Sequence, residues 1–211
     1  MTAGRRFKDR EAAGRELGEQ LGELDLGVDI VLAVPRGGLP LGRAVADALG
    51  VALDVVVASK IGAPNNPEYA VGAVASDGSL WRNESAIART GLEEAYFERE
   101  RKREAENARE KAQTYRKGRA PPDLSGRTVA VVDDGVATGS TVRACLAMLS
   151  NSDVEEIVLA VPVGPPETIA ALEEAADEVV CLERPRSFMG VGQFYTRFDQ
   201  VREEEAMEYL G

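Results

Sequence analysis

The sequence predicts an α/β fold, built on a doubly wound, mostly parallel five-stranded sheet with flanking helices, a long charged helix and a small C-terminal hood. Two observations predict this class: short β-branched apolar runs alternate with segments of helical apolar spacing, and turn residues separate them. With 211 residues, 44% of them hydrophobic, the chain can bury one core of this size. We expect one domain over residues 1–211, with a core at about 28–182, an inserted hairpin and helix at about 69–118, and the hood at about 183–211.

The first half of the chain contains two strand–helix alternations and a hairpin. Charged residues alternate with Ala and Leu at helical spacing near the N-terminus, and Gly50 closes a second helical segment. The turn-rich sequence IGAPNNPE predicts a loop. The expected elements are a helix at Asp9–Leu21, a strand at Val28–Val34, a helix at 39–50, a strand at Leu53–Ala58, a loop at 61–68, and a hairpin of Tyr69–Ala75 and Leu80–Arg82.

The second half begins with a long charged helix, expected at Leu92–Lys117, in which acidic and basic residues stand three and four positions apart. This pattern favours a solvated helix. A narrow apolar stripe along it predicts packing on the domain or on a partner subunit. The remaining expected elements are a strand at Val129–Val132, a helix to about Leu149, a strand at Val154–Val161, a helix at Pro165–Ala176, a strand at Glu178–Leu182 and a helix near Arg202–Leu210.

The stretch Thr128–Thr141, TVAVVDDGVATGST, has the most specific chemistry in the chain. Its apolar run ends in Asp133 and Asp134, and a loop of small and hydroxylated residues then leads into a helical segment. A strand, a polar loop and a helix N-terminus in this order direct backbone N–H groups and hydroxyls at a phosphate. Two carboxylates just before the loop suit vicinal hydroxyls, so the stretch predicts a ribose 5-phosphate site. An ordinary turn between a strand and a helix is the alternative.

This stretch resembles the phosphoribosyl pyrophosphate motif of the type I phosphoribosyltransferase family. The resemblance covers residues 28–182 and a C-terminal stretch like that of small family members. It implies that Asp133 and Asp134 hold the 2′- and 3′-hydroxyls of the ribose. It also implies that the 5-phosphate is wrapped by Ala137, Thr138, Gly139, Ser140 and Thr141.

Arg36, Gly37 and Gly38 follow the first predicted strand. Paired glycines let a backbone approach an anion closely, and an arginine offers a planar fork of donors to phosphate oxygens. Lys60, at the end of the second predicted strand, offers a point charge. In the family that the chain resembles, these positions bind pyrophosphate, which implies that role here. A tight turn with a solvated arginine, and a surface lysine, are the alternatives.

Two segments supply candidate acceptor or gate residues. Family members have a mobile loop after the second strand that closes over the reacting centre, which makes Glu68 and Tyr69 candidates for a gate that excludes water. Residues 188–195 concentrate aromatic side chains, and Phe188 and Tyr195 are candidates to stack on a planar base. A structural hairpin and core packing are the respective alternatives.

Composition limits the chemistry and the partners. The sequence contains no histidine, which excludes Ser-His triads and the common zinc sites. We therefore expect Mg²⁺, bound through the substrate with Asp133 and Asp134 as candidate ligands. A net charge of −11 argues against nucleic acid as a partner, and no run reaches membrane-spanning length. Two unclustered cysteines, Cys145 and Cys181, predict a reduced, cytoplasmic location. We also expect a homodimer.

The resemblance implies transfer of a 5-phosphoribosyl group from phosphoribosyl pyrophosphate to a nitrogen acceptor, expected to be a nucleobase such as a purine, with release of pyrophosphate. One departure weakens a 6-oxopurine acceptor: those enzymes place an Asp in the phosphate loop, where this chain has Ala137. A non-catalytic sensor of phosphoribosyl pyrophosphate or a nucleotide, which regulates a partner, is the alternative. A hydrolase that releases pyrophosphate into water is a third hypothesis.

Overall fold

The computed structural model describes residues 7–211, except for the Glu68 side chain. Its strands are β1 (Ile30–Ala33), β2 (Ala52–Val55), β3 (Ala58–Ala63), β4 (Asn66–Ala75), β5 (Leu80–Arg82), β6 (Thr128–Val132), β7 (Glu156–Val163) and β8 (Glu178–Glu183). Its α-helices are α1 (Arg10–Leu24), α2 (Gly38–Leu49), α3 (Glu84–Thr90), α4 (Glu94–Tyr115), α5 (Ser140–Ser150), α6 (Pro166–Leu172) and α7 (Glu203–Glu208).

Five strands form a parallel sheet in the order β2-β1-β6-β7-β8, which confirms the predicted fold class. All residues of β1 and β6 are buried, because helices cover both faces of the sheet. The chain adds β2 on one side of β1 and later returns to place β6 on the other. The strand order therefore reverses between β1 and β6, which is where open α/β sheets bind their ligands.

Two cores lie on opposite faces of this sheet. On one face, α1 and α2 contribute buried side chains such as Leu17 and Leu39. On the other face, α5 and α6 contribute Leu146 and Leu172. The apolar residues that recur at helical spacing in the sequence are therefore the ones that each helix buries.

A second, antiparallel sheet in the order β3-β4-β5 corrects two sequence predictions. The segment 61–68 is not a loop: β3 continues to Ala63, and only Pro64 and Asn65 separate it from β4. Lys60 accordingly lies within β3, paired with Ala73, and not at the end of the second strand. The Gly, Asn and Pro content concealed an alternation in which every second residue of β3 is buried. The predicted hairpin of β4 and β5 is confirmed.

The charged segment contains two helices, of which the sequence predicted only α4. Asn83 caps α3 by accepting the Ala86 N–H at 3.0 Å, and Gly91 ends it in the left-handed conformation. Both are standard capping signals, which would have identified this helix.

The apolar stripe of α4 packs on the domain itself. It is buried at Ala105, Ala108, Ala112 and Tyr115. At the end of the helix, Arg116 pairs with Asp54 at 2.9 Å and donates to the Val55 carbonyl at 2.8 Å. The sequence predicted that the stripe packs on the domain or on a partner subunit, and the structure shows packing on the domain.

The hood, residues 183–211, contains a 3-10 helix at Val191–Phe194 and α7, and it is joined to the start of the described chain. Phe7 donates its N–H to the Phe194 carbonyl at 2.7 Å and accepts from the Thr196 N–H at 2.8 Å. The rings of Phe7 and Tyr195 are 5.5 Å apart. Among residues 7–211, no helix combines the length and the apolar character needed to span a membrane.

The buried central strands lead to a stability prediction. Leu159 of β7 is fully buried, so Leu159→Ala removes apolar burial and leaves a cavity. We expect the free energy of unfolding to fall by about 2–5 kcal/mol in urea denaturation. Met189→Ala is the control, because Met189 is 92% exposed and should change stability little. Equal effects of the two substitutions would contradict this account of the core.

Candidate functional site

Two loops meet where the strand order reverses. The glycine loop, residues 35–38, follows β1, and the hydroxyl loop, residues 137–141, follows β6 and the acid pair Asp133 and Asp134. The Val34 N–H donates to the Val132 carbonyl at 2.9 Å, which joins the ends of the two strands. The parallel register of β1 and β6 therefore brings together the acid pair and the residues 36–38 that the sequence singled out.

The hydroxyl loop leads into the N-terminus of α5. Gly139, at its N-cap position, has a φ of 71°, in the left-handed region that favours glycine. No side chain within the described residues caps this helix, so its first N–H groups point at the loop. The hydroxyls of Thr138 and Ser140 are 3.1 Å apart, and Thr168 holds the loop by donating to the Ala137 carbonyl at 2.8 Å. Uncapped N–H groups with adjacent hydroxyls have the chemistry to bind an anion.

The glycine loop lies directly against the acid pair. A Cβ on Gly37 would overlap Asp134 Oδ2, and a Cβ on Gly38 would lie 3.0 Å from the Val132 carbonyl oxygen. Gly37 is therefore needed for space, and a side chain at position 38 would require the neighbouring backbone to shift slightly. The peptide bond between Pro35 and Arg36 is cis. Arg36 is exposed, which leaves its guanidinium open to an anion.

The acid pair carries unusual electrostatics. Burial, together with the neighbouring Asp134 charge, raises the pKa of Asp133 well above its ordinary value. Burial also raises the pKa of Asp134, although the Arg10 guanidinium opposes that shift. Asp133 Oδ1 accepts the Asp134 N–H at 2.8 Å, which orients the first carboxylate. Two partly buried carboxylates that accept hydrogen bonds suit the hydroxyls of a sugar.

Arg10 was not predicted from the sequence. Its Nε donates to Asp134 Oδ2 at 2.7 Å, its Nη1 donates to the Asp199 carbonyl at 2.8 Å, and its guanidinium carbon lies 3.9 Å from the centroid of the Phe198 ring. Arg10 and Asp134 are 124 residues apart in the chain. The sequence signal nearby, the N-cap Asp9, locates only the start of α1.

The structure places the two aromatic candidates in packed positions. Tyr195 is 6% exposed, and its hydroxyl donates to the Asp134 carbonyl at 2.6 Å, which supports the acid pair from the hood side. Phe188 is half-buried and stacks on Phe194 with ring centroids 5.5 Å apart. Contact of either ring with an acceptor stays a prediction.

Arg36 lines a cavity of about 340 Å³ at the same edge of the sheet, together with Pro35, Val57, Ala58, Lys111, Tyr115 and Glu203. Burial, with the Glu203 charge as the next cause, raises the pKa of Tyr115 to about 12. Lys60 lies two residues beyond Ala58 in β3. The cavity therefore receives cationic side chains from the glycine loop and from α4, and sequence spacing could not have indicated the contribution of α4.

The two gate candidates lie on β4. The Glu68 side chain lies outside the described part of the structure. The Tyr69 hydroxyl accepts from Arg89 Nη1 at 3.2 Å, which joins β4 to α3. A gating role for either residue stays a prediction.

No group of three or more acidic or cysteine side chains in the described range could hold a metal ion. The acid pair offers two carboxylates, one of them already paired with Arg10. This donor set fits Mg²⁺, which is usually bound by one or two carboxylates with substrate phosphate oxygens and water.

The fold and the site define an α/β protein with a hydroxyl-rich loop at a helix N-terminus and two acids where the strand order reverses. Residues 6–197 match the model of the phosphoribosyl transferase domain, and the chain belongs to that family.

Relatives agree with this assignment. Two proteins of Mycobacterium tuberculosis, from strains CDC 1551 and H37Rv and both provisionally named phosphoribosyl transferases, are 38% identical over 204 residues, which is 97% of this chain and 46% of each relative. The chain thus spans about half the length of the curated relatives it matches.

Solved structures support the fold. The crystal structure of TT1426 from Thermus thermophilus is 41% identical with a TM-score of 0.83, and 97% of each chain is covered. The AQ2163 protein from Aquifex aeolicus shares the fold, with 12% identity and a TM-score of 0.50. The match covers 82% of this chain and 73% of the Aquifex aeolicus chain.

The contact between Gly37 and the acid pair can be tested by stability. Gly37→Ala places a methyl group on Asp134 Oδ2, so the carboxylate or the loop must move. We expect the free energy of unfolding to fall by about 1–3 kcal/mol in urea denaturation. Gly22→Ala is the control, since its Cβ would meet nothing closer than 3.9 Å in a helix. A Gly37→Ala protein as stable as the wild type would contradict the packing described here.

The raised pKa of Asp133 predicts a pH-dependent cost of folding. Between the ordinary carboxyl pKa and the raised one, the folded state binds the proton more tightly than the unfolded chain, so stability falls as pH rises through that window. Asp133→Asn removes this cost. We expect the variant to melt at least about 2 °C above the wild type at pH 8, in Mg²⁺-free buffer.

Thermal melts at several pH values measure this difference, which should shrink as the pH approaches the ordinary carboxyl value of about 4. A variant that melts below the wild type at pH 8 would show that the ionised Asp133 is stabilised in the fold.

Proposed function

We propose that the protein is a phosphoribosyltransferase that transfers the 5-phosphoribosyl group of phosphoribosyl pyrophosphate to a nitrogen acceptor of the nucleobase class and releases pyrophosphate. The observation that carries the proposal is that three features lie together at the neighbouring ends of β1 and β6: the acid pair, the uncapped N-terminus of α5 and the glycine loop. Their chemistry corresponds in order to the hydroxyls, the 5-phosphate and the pyrophosphate of one molecule. Membership of the family supports the same substrate.

Binding comes from groups that are already in place. In our proposal the 5-phosphate accepts hydrogen bonds from the N–H groups of α5 and from the hydroxyls of the hydroxyl loop. The helix dipole favours the negative charge of the phosphate at this position. The carboxylates of Asp133 and Asp134 accept hydrogen bonds from the ribose 2′- and 3′-hydroxyls. These contacts fix the sugar, so that its anomeric carbon faces the acceptor.

The pyrophosphate leaving group is proposed to lie at the glycine loop. We assign the pyrophosphate to Arg36, the backbone at Gly37 and Gly38, and Lys60, whose positive charges offset the charge that develops as the glycosidic bond breaks. Transfer to nitrogen then proceeds with inversion and oxocarbenium character at the anomeric carbon. Closure of the β3–β4 hairpin, with Glu68 and Tyr69 near its tip, is proposed to exclude water from that cation.

Mg²⁺ is the proposed cofactor, because the acid pair supplies carboxylate oxygens and the substrate supplies phosphate oxygens. When bound, it would offset the negative charge of the pyrophosphate. Asp133 is the better candidate ligand, since Asp134 is already paired with Arg10. No cage of protein ligands is needed for this mode of binding.

The hydroxyl loop bears on which acceptor the protein uses. Ala137 provides no group for proton transfer, which disfavours a 6-oxopurine. Phe188 and Tyr195 are retained as proposed neighbours of the acceptor in the hood. A homodimer, a cytoplasmic location and the absence of nucleic-acid and membrane partners are retained as predictions from the sequence.

Calorimetry with phosphoribosyl pyrophosphate and Mg²⁺ tests the donor site. We expect binding to wild-type protein and a loss of at least about tenfold in affinity for Asp133→Asn and for Asp134→Asn, because each removes an ionised acceptor of a sugar hydroxyl. Asp123→Asn is the control, since Asp123 is an acid outside the site that accepts the Ser125 N–H. Absence of heat with the wild type would refute the donor site.

Release of pyrophosphate separates the three functional hypotheses. A panel of nucleobases is added with donor and Mg²⁺, and turnover with one base is the expected result. Donor binding without turnover on a broad panel would favour the sensor, and turnover without any base would favour the hydrolase.

A further inference from the structure

We propose that Arg10 is a positioning residue for the donor site: it fixes the Asp134 carboxylate in the orientation that a sugar hydroxyl needs. This inference rests on the proposed function, since it assigns a partner to one of the two acids. Arg10 lies at the first position of α1, far from the motif in sequence, and it acts through Asp134 rather than on the substrate.

The geometry fixes one oxygen of the Asp134 carboxylate. Oδ2 is held by Arg10 Nε at 2.7 Å and lies where a Cβ on Gly37 would be. Arg10 and the glycine loop thus enclose one carboxylate oxygen. Because Oδ2 is held in this way, the lone pairs of Oδ1 have a fixed direction, which is what a hydrogen bond from a hydroxyl requires.

Arg10 is itself rigidly held. Its Nη1 donates to the Asp199 carbonyl at 2.8 Å, and its guanidinium lies 3.9 Å from the Phe198 ring centroid. The side chains of Arg10 and Asp134 are only 12% and 14% exposed. A guanidinium fixed on three sides in a water-poor setting orients a carboxylate far better than a solvated pair does.

The charge of Arg10 matters for a substrate rich in phosphate. Two adjacent carboxylates repel each other and would repel a pyrophosphate. Arg10 offsets one of these charges, while Asp134 stays able to accept a hydrogen bond. The two acids then differ in role: Asp134 is oriented by the protein, and Asp133 is left to meet the substrate and its cation.

A second link between α1 and the hood allows this role to be separated from simple structural support. Arg197 of the hood has Asp9, the N-cap of α1, as its ion-pair partner among the described residues. Phe7 adds backbone hydrogen bonds to the same hood segment. If Arg10 only fastened the hood, loss of Arg197 should have a similar effect on ligand binding.

The experiment is a set of calorimetric titrations of the full chain with phosphoribosyl pyrophosphate and Mg²⁺, with thermal melts of each variant. Arg10→Met should weaken binding by about tenfold or more, whereas Arg197→Met should change it by less than about twofold. Arg10→Lys, which keeps the charge but loses the planar fork, should recover part of the affinity. If Arg10→Met does not fold, the comparison of Arg10→Lys with the wild type provides the test.

A double-mutant cycle shows whether Arg10 acts through Asp134. In an Asp134→Asn background, Arg10→Met should change affinity by less than about twofold, because the carboxylate it orients is already gone. Loss of a purely structural clamp would instead lower affinity equally in both backgrounds.

The outcomes are distinguishable. If the wild type binds donor and either Arg10→Met binds equally well or Arg197→Met is as weak as Arg10→Met, the role of Arg10 is refuted and the donor site stands. Additive effects of Arg10→Met and Asp134→Asn would likewise refute it. If the wild type shows no binding, the proposed function and this inference fail together.

Discussion

The contact on which the site depends is the close approach of the glycine loop to the carboxylates at the end of β6. It exists because β1 and β6 are neighbours in the sheet although almost a hundred residues separate them in the chain. Gly37 and Gly38 have no side chains, so the backbone after β1 can lie against Asp134 and the Val132 carbonyl. A side chain at Gly37 would force this backbone away from the acid pair.

That approach buries negative charge, and the surrounding structure compensates for it. Burial raises the pKa of both acids, which is a cost when they are ionised. Arg10 supplies the opposite charge, and the Tyr195 hydroxyl supports the Asp134 carbonyl. Both groups are held by the hood. In this view the C-terminal segment completes the acid pair, and the aromatic residues there serve the site through packing and hydrogen bonding.

The inserted sheet and α4 have a different relation to the site. Trp81 of β5 lies under the Arg143 guanidinium of α5, with 5.5 Å between guanidinium carbon and ring centroid, so the second sheet packs on the helix that begins at the hydroxyl loop. The C-terminal end of α4 lies beside Arg36. The second sheet and α4 therefore both pack close to the loops that follow β1 and β6.

The sequence by itself determined the parallel sheet, the hydroxyl loop and the acid pair, because buried strands, amphipathic helices and the loop after β6 each leave a local pattern of apolar and turn residues. It missed β3, whose Gly, Asn and Pro residues indicate a loop although the alternate residues are buried. It also missed Arg10 and the hydrogen bond from the Tyr195 hydroxyl to the Asp134 carbonyl. Only the tertiary structure decided the contacts of Arg10 and Tyr195 with Asp134, which lies 124 and 61 residues away, because such contacts depend on which strands are neighbours and no local spacing encodes that.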